Sequence, residues 1–167
     1  MWIGVGAAAA LAVATIAMLA SRPAAPARAD GSPPRLAVLP ATHYPADAEA
    51  AALAERITDG VTGELVRIGR LEIVSRTSTR QFGGERRSVR DIAEALDADW
   101  IIEATGHREA GGVRVEVRLV DPRRDRKVWV EGFAGDAGNL GDLDRRVAAA
   151  IDVEVGRSAA RGAAGAR

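Results

Sequence analysis

Ser75, Arg76, Thr77 and Ser78 follow directly on an apolar stretch, Leu71-Glu-Ile-Val74. Three hydroxyls and a guanidinium at the carboxyl end of a strand suit an anion. Arginine offers a planar fork to a carboxylate or phosphate, and α/β sheets often place ligands at strand carboxyl ends. The same hydroxyls can instead satisfy loop backbone groups, and that local role is favoured here. Arg80, Arg86, Arg87 and Arg90 cluster around Gly83-Gly84, with Phe82 beside them. Such a cluster fits an anionic partner surface. Glu85 and Asp91 sit among these arginines, which favours a solvated loop. Trp129 and Phe133 fall on one face of a strand, with Glu131 between them. They are expected to pack beneath a helix; if exposed, they mark a contact surface. Arg76, Thr77, Ser78, Arg86, Arg87 and Trp129 are therefore the candidate interaction residues.

No residue set completes a catalytic constellation. His43 and His107 are the two histidines. Neither belongs to a Gly-x-Ser-x-Gly turn, and no His/carboxylate spacing offers further metal ligands. The chain has no cysteine, which removes disulfides, thiolate chemistry and Cys-based metal sites. There is no Gly-x-x-x-x-Gly-Lys phosphate loop. The expectation is a protein that is not an enzyme and takes no cofactor and no metal. With 23 basic and 23 acidic side chains, the balance also speaks against nucleic acid as a partner.

The elements that hold these residues read clearly between positions 35 and 156. Hydrophobic residues make up 47% and aromatic residues 4%, so the core must be aliphatic. Arg35–Leu39 is a short strand stopped by Pro40. After the loop 41–46, Asp47 caps a long helix with an apolar stripe at Ala50, Leu53, Ala54, Ile57, Val61, Leu65 and Ile68. Gly69 is placed to end it. Residues 71–74 form a second strand and 75–87 a polar loop. Ser88, with Asp91 three residues on, caps a short helix burying Val89, Ile92, Ala93 and Leu96. Three strands at hairpin spacing follow: 100–108, 113–120 and 127–133. Their turns lie at Gly111-Gly112 and Asp121–Asp125. In the middle strand Val113, Val115, Val117 and Leu119 alternate with Arg114, Glu116 and Arg118, a sheet covered on one side and wet on the other. A last helix starts near Leu140, with Leu143, Val147 and Ile151 on its stripe. The order is β-α-β-α-β-β-β-α. It predicts an α/β fold: one mixed sheet with parallel crossovers first, antiparallel strands second, and helices packed on one face.

Outside this domain, residues 1–21 are an apolar segment, expected to be a helix, and 22–34 a Pro/Ala-rich linker. Residues 157–167 are an Ala/Gly/Arg-rich tail expected to be disordered. Positions 2–20 carry no charge and approach the length that spans a bilayer. Ala27-Arg28-Ala29 has the small-x-small form of a signal-peptidase site. A cleaved export signal and an uncleaved single-pass anchor are both open. Positive charge follows the run, at Arg22, Arg28 and Arg35, rather than preceding it. That bias favours the C-terminal part inside if the helix is retained. It also leads us to expect a further cytoplasmic segment before residue 1.

Several stretches, in this order and spacing, resemble the TolB-like domain. They are Arg35-Leu-Ala-Val-Leu-Pro40, Ile57–Leu65, Leu71–Ser78, Ser88–Leu96 running into Asp99-Trp-Ile-Ile-Glu103, Arg114–Asp121 and Val128–Glu131. The domain is also similar to the FlgO-type domain of flagellar accessory proteins. The resemblance implies a mixed α/β fold and no catalytic activity. In that family the domain is often joined to winged-helix or cyclase domains and tetratricopeptide repeats. Ala104-Thr105 stands where the family usually has a Gly-Ser pair. The leading expectation is a binding and scaffolding module of the bacterial envelope. It would reach the inner membrane through its N-terminal helix, or be exported to the periplasm, and meet an envelope or signalling protein. A ligand-sensing domain of a cyclase-type or winged-helix system is the alternative. A flagellar outer-membrane accessory role is a weaker one, because no lipobox cysteine is present.

Overall fold

The computed structural model describes residues 28, 31–44, 46–84 and 87–164, with only the backbone for the last two. The apolar segment 1–21, most of the 22–34 linker and Arg86 lie outside the described residues. No helix among the described residues is long and apolar enough to cross a membrane.

The elements run β1 (Arg35–Val38), β2 (Thr42–Tyr44), α1 (Ala48–Ile68), β3 (Glu72–Ile73), α2 (Arg76–Arg80), α3 (Val89–Leu96), β4 (Trp100–Glu109), β5 (Gly112–Asp121), β6 (Arg126–Gly135) and α4 (Leu140–Ala164). The caps read from sequence are in place. Asp47 accepts from the Ala50 amide at 2.8 Å, and Gly69 ends α1 with φ of 71°. The Ser88 hydroxyl accepts from the Asp91 amide at 3.1 Å. Ser88→Ala orphans that amide and is expected to cost about 1 kcal/mol, read by urea unfolding.

All six strands form one mixed sheet, in the order β3-β1-β4-β5-β6, with β2 joined to β4. β1 runs parallel to β3 and β4, while β4, β5 and β6 form an antiparallel meander. β2 was not foreseen. It lies within the 41–46 loop and pairs parallel with the far half of β4, Thr42 opposite Thr105 and Tyr44 opposite His107. At three residues, it was too short to show a periodic pattern.

The helices do not all share one face. α1 and α4 cover Leu36, Val38, Trp100, Ile102 and, on β5, Val113, Val115 and Val117. α3, with Val74 and Phe82, covers Ala37, Leu39, Ile101 and Val120 on the opposite side. The expectation of a single covered face therefore fails at the parallel end. Parallel strands are commonly buried on both faces, and β1 is apolar at every position after Arg35. The antiparallel meander keeps one face open, as the alternation in β5 predicts.

Two further expectations are corrected. Residues 75–87 contain the short helix α2, capped by Ser75, whose hydroxyl accepts from the Ser78 amide at 3.3 Å. The tail expected after Gly156 is helical to Ala164. Its alanines favour helix, Val155 extends the buried stripe, and Arg161 reaches back to Glu154 at 2.5 Å.

Candidate functional site

The residues singled out from sequence do not converge. Arg76 turns back onto α1, its Nε 2.5 Å from Asp59 Oδ1, and Arg80 pairs with Glu55. Thr77 is exposed, and Ser78 Oγ lies 3.1 Å from Ser75 Oγ. These hydroxyls and this guanidinium hold α2 together and against α1. Phe82 is buried in the second core, and the Arg87 guanidinium stands 5.6 Å over its ring. Arg90 donates to the Arg123 carbonyl at 3.1 Å. Beside it, a groove of about 560 Å³ runs between α3 and the β5–β6 turn. Arg28 bridges Asp97 at 2.8 Å and Asp99 at 3.5 Å there, so its charges serve to clasp the chain. Trp129 is half-buried against the main core, its ring 6.4 Å from that of Phe133.

What the fold does assemble is a polar platform on the open face of the antiparallel half. Residues paired across the sheet share a face. Glu103 therefore stands beside Arg118, Thr105 beside Glu116, and His107 beside Arg114. β2 adds Thr42 and Tyr44 to the same face. Arg118 Nη1 donates to Thr105 Oγ1 at 3.0 Å, and its Nη2 bonds Glu116. Thr42 Oγ1 lies 3.0 Å from Thr105 Oγ1. Thr105 is buried beneath this network, which fixes the Arg118 fork rather than leaving it to wander. Tyr44 stacks on His107, centroids 5.5 Å apart and planes 16° from parallel, and is 59% exposed. An aromatic shelf beside a held guanidinium suits a polypeptide surface, since Tyr and Arg dominate contact energetics at protein interfaces.

Of this platform, sequence reasoning had seen only the wet alternation Arg114-Glu116-Arg118. Thr42 and Tyr44 were missed because nothing local announces β2. Arg108 points to the other face. Glu49 and Asp47 hold it charged and raise its pKa above the ordinary value, Glu49 most. It ties β4 to the start of α1. Among the described residues, no cluster of three or more His, Asp or Glu side chains could hold a metal.

No family model matches the chain. It is 24% identical over 100 residues to putative adenylate cyclase 3 of Rhizobium meliloti (strain 1021). That stretch is 60% of this chain and 17% of the cyclase, so the chain spans a small part of that relative. Among solved structures, TolB from Acinetobacter baumannii superposes at a TM-score of 0.52 with 16% identity. The match takes in 72% of this chain and 27% of that one. Lipoprotein GNA1162 from Neisseria meningitidis gives 0.53 at 16% identity, covering 72% and 95%. Protein XCC0632 from Xanthomonas campestris gives 0.51 at 10%, covering 76% and 88%. With β1, β3 and the β4–β6 meander arranged as described, the chain has the TolB-like fold.

Proposed function

We propose that this chain is a non-catalytic binding and scaffolding module of the bacterial envelope. It would meet a protein partner through the open face of its antiparallel half. The observation that carries this reading is the Tyr44–His107 shelf beside the Thr105-held Arg118 fork. The face is polar, ordered by its own hydrogen bonds and free of helix cover. The uncharged run at 2–20 supports export or retention at the inner membrane. The fold likeness to a lipoprotein supports the same compartment.

Photo-crosslinkers placed at Tyr44 or at Arg114, exposed on the same face, test this in cells carrying the full chain. The expected result is a discrete protein adduct at these positions and none at Val66, exposed on α1. Arg118→Ala should abolish the adduct while changing folding stability by less than about 1 kcal/mol. Equal adducts at Val66, or adducts unaffected by Arg118→Ala, would overturn the reading.

A second reading rests on the cyclase alignment: a regulatory domain of a cyclase-type signalling system. The two differ in compartment. A periplasm-dependent reporter fused after Arg167 should be active for an envelope module. Activity only with a cytoplasmic reporter would favour the regulatory domain.

A further inference from the structure

β6 is the outer strand of the sheet, ten residues long, and no strand among the described residues pairs with its far side. Which of its backbone groups face outward follows from two observations. Leu39 donates to the Ile102 carbonyl, so Ile102 is directed toward β1 and away from β5. Counting through Ile102↔Leu119 and Leu119↔Trp129, the alternation turns Trp129 inward and Val130 outward. Arg146 takes the Ala134 carbonyl at 2.7 Å from outside the sheet, which gives the same alternation. Val130 and Gly132 therefore present their N–H and C=O groups outward, and Ala134 its N–H, the Ala134 carbonyl being held by Arg146.

Beyond the Arg146 contact at Ala134, this rail differs from a protected edge. The irregularity that breaks the β5–β6 ladder lies opposite Leu119/Val120, before Val130, so the rail itself is regular. Val130 is 52% exposed. Nothing in the single chain explains Gly132. Its backbone is not left-handed, and a Cβ there would meet no atom within 4 Å. A glycine inside a strand commonly marks close approach by another backbone.

We propose that the β6 edge pairs antiparallel with the β6 edge of a second copy, Gly132 opposite its own counterpart. This register sets Val130 against Ala134 of the other copy, whose outward N–H can donate to the Val130 carbonyl while its own carbonyl stays with Arg146. It sets Glu131 against Phe133 rather than against another carboxylate. Charge favours the antiparallel direction. The strand opens with Arg126-Lys127 and is followed by Asp136, so each copy's basic end approaches the other's acid. A parallel copy would oppose like charges.

The absence of cysteine from the chain makes the test clean. Facing residues of a hydrogen-bonded antiparallel pair have Cα atoms about 5.5 Å apart, inside disulfide range. In the full chain, kept in mild detergent, Gly132→Cys should give a disulfide-linked dimer under gentle oxidation. Tyr44→Cys, exposed on a different strand, should give no disulfide-linked dimer. Gly132→Pro removes an outward N–H that the ladder does not use, so the fold should survive, and sedimentation should show a dimer for the wild type and a monomer for this variant. No cross-link at position 132, or equal cross-linking at position 44, would overturn the proposal. So would a disulfide from the Gly132→Cys chain to a different protein in cells. If Gly132→Pro fails to fold, the two cysteine variants still decide.

Discussion

Asp144→Asn is expected to stabilise the chain by about 2 kcal/mol near neutral pH, a large gain for one isosteric change. Asp144 lies on α4 against α1, is 8% exposed, and its Oδ1 has no hydrogen-bond partner among the described residues. Burial raises its pKa from 3.8 to about 6, and the Glu64 carboxylate adds to the rise. Arg56 and Arg145 pull the other way. The folded chain therefore holds this proton more tightly than the unfolded chain. The stability it contributes is complete below about pH 4 and is lost as pH climbs through 6. The loss amounts to about 3 kcal/mol, at roughly 1.4 kcal/mol for each tenfold change in proton affinity. Asparagine cannot ionise and escapes the loss, but its amide still lacks partners, which costs about 1 kcal/mol. Urea unfolding across this pH range should show the wild type weakening and the variant staying level. Parallel curves would mean that Asp144 is not held neutral by its surroundings.

Asp144 was legible in the sequence only as a charged residue on the last helix. The stripe Leu140, Leu143, Val147 and Ile151 was correct, but periodicity says nothing of what lies beside a stripe once two helices cross. The same limit recurs elsewhere. The caps at Asp47 and Ser88 and the turns at Gly111 and Asp121 were readable because each rests on residues within four positions. The Asp121 carboxylate indeed accepts from the Arg123 amide at 3.0 Å. β2 was unreadable because its pairing with β4 spans some sixty positions and only three residues form it. The double cover of β1 was written in its unbroken apolar run, and the expectation of one covered face overlooked it. The helical tail was obscured by composition. Alanine, arginine and glycine read as disorder until Glu154 supplies Arg161 and Ser158 with a partner.

The candidate site followed the same division. Arg76, Thr77 and Ser78 drew notice because hydroxyls and a guanidinium stood together in sequence. Proximity in sequence here built a small capped helix and an ion pair. The open platform draws on β2, β4 and β5, and its members are scattered from Thr42 to Arg118. What could have pointed to it is the contrast within one sheet. β1 is apolar on both faces, whereas β5 changes side-chain character at every step from Val113 to Leu119. A sheet that is doubly covered at one end and bare at the other leaves one region where polar residues can face a partner.

Gly60 and Gly63, three positions apart on α1, should respond to alanine in opposite directions. Alanine is the better helix former by about 1 kcal/mol, so substitution in open space should stabilise. Gly63 is such a case, with no atom within 4 Å of a Cβ placed there. Gly63→Ala is expected to add about 0.5 to 1 kcal/mol. At Gly60 the same Cβ would sit 2.1 Å from Asp144 Oδ2 and 2.5 Å from its Cγ. The short Asp144 side chain is buried between the helices and has little room to turn, so α4 must move away from α1. Overpacking of this kind costs roughly 1 to 3 kcal/mol, and the upper end is expected where a rigid helix pair has to part. Shortening Asp144 to glycine removes the obstructing atoms, so Gly60→Ala should become nearly neutral in an Asp144→Gly background. That interaction, on the order of 2 kcal/mol, is what a double-mutant cycle measures. If Gly60→Ala costs the same in both backgrounds, α1 and α4 do not meet through this glycine and carboxylate, and the packing of the helical layer described above is wrong.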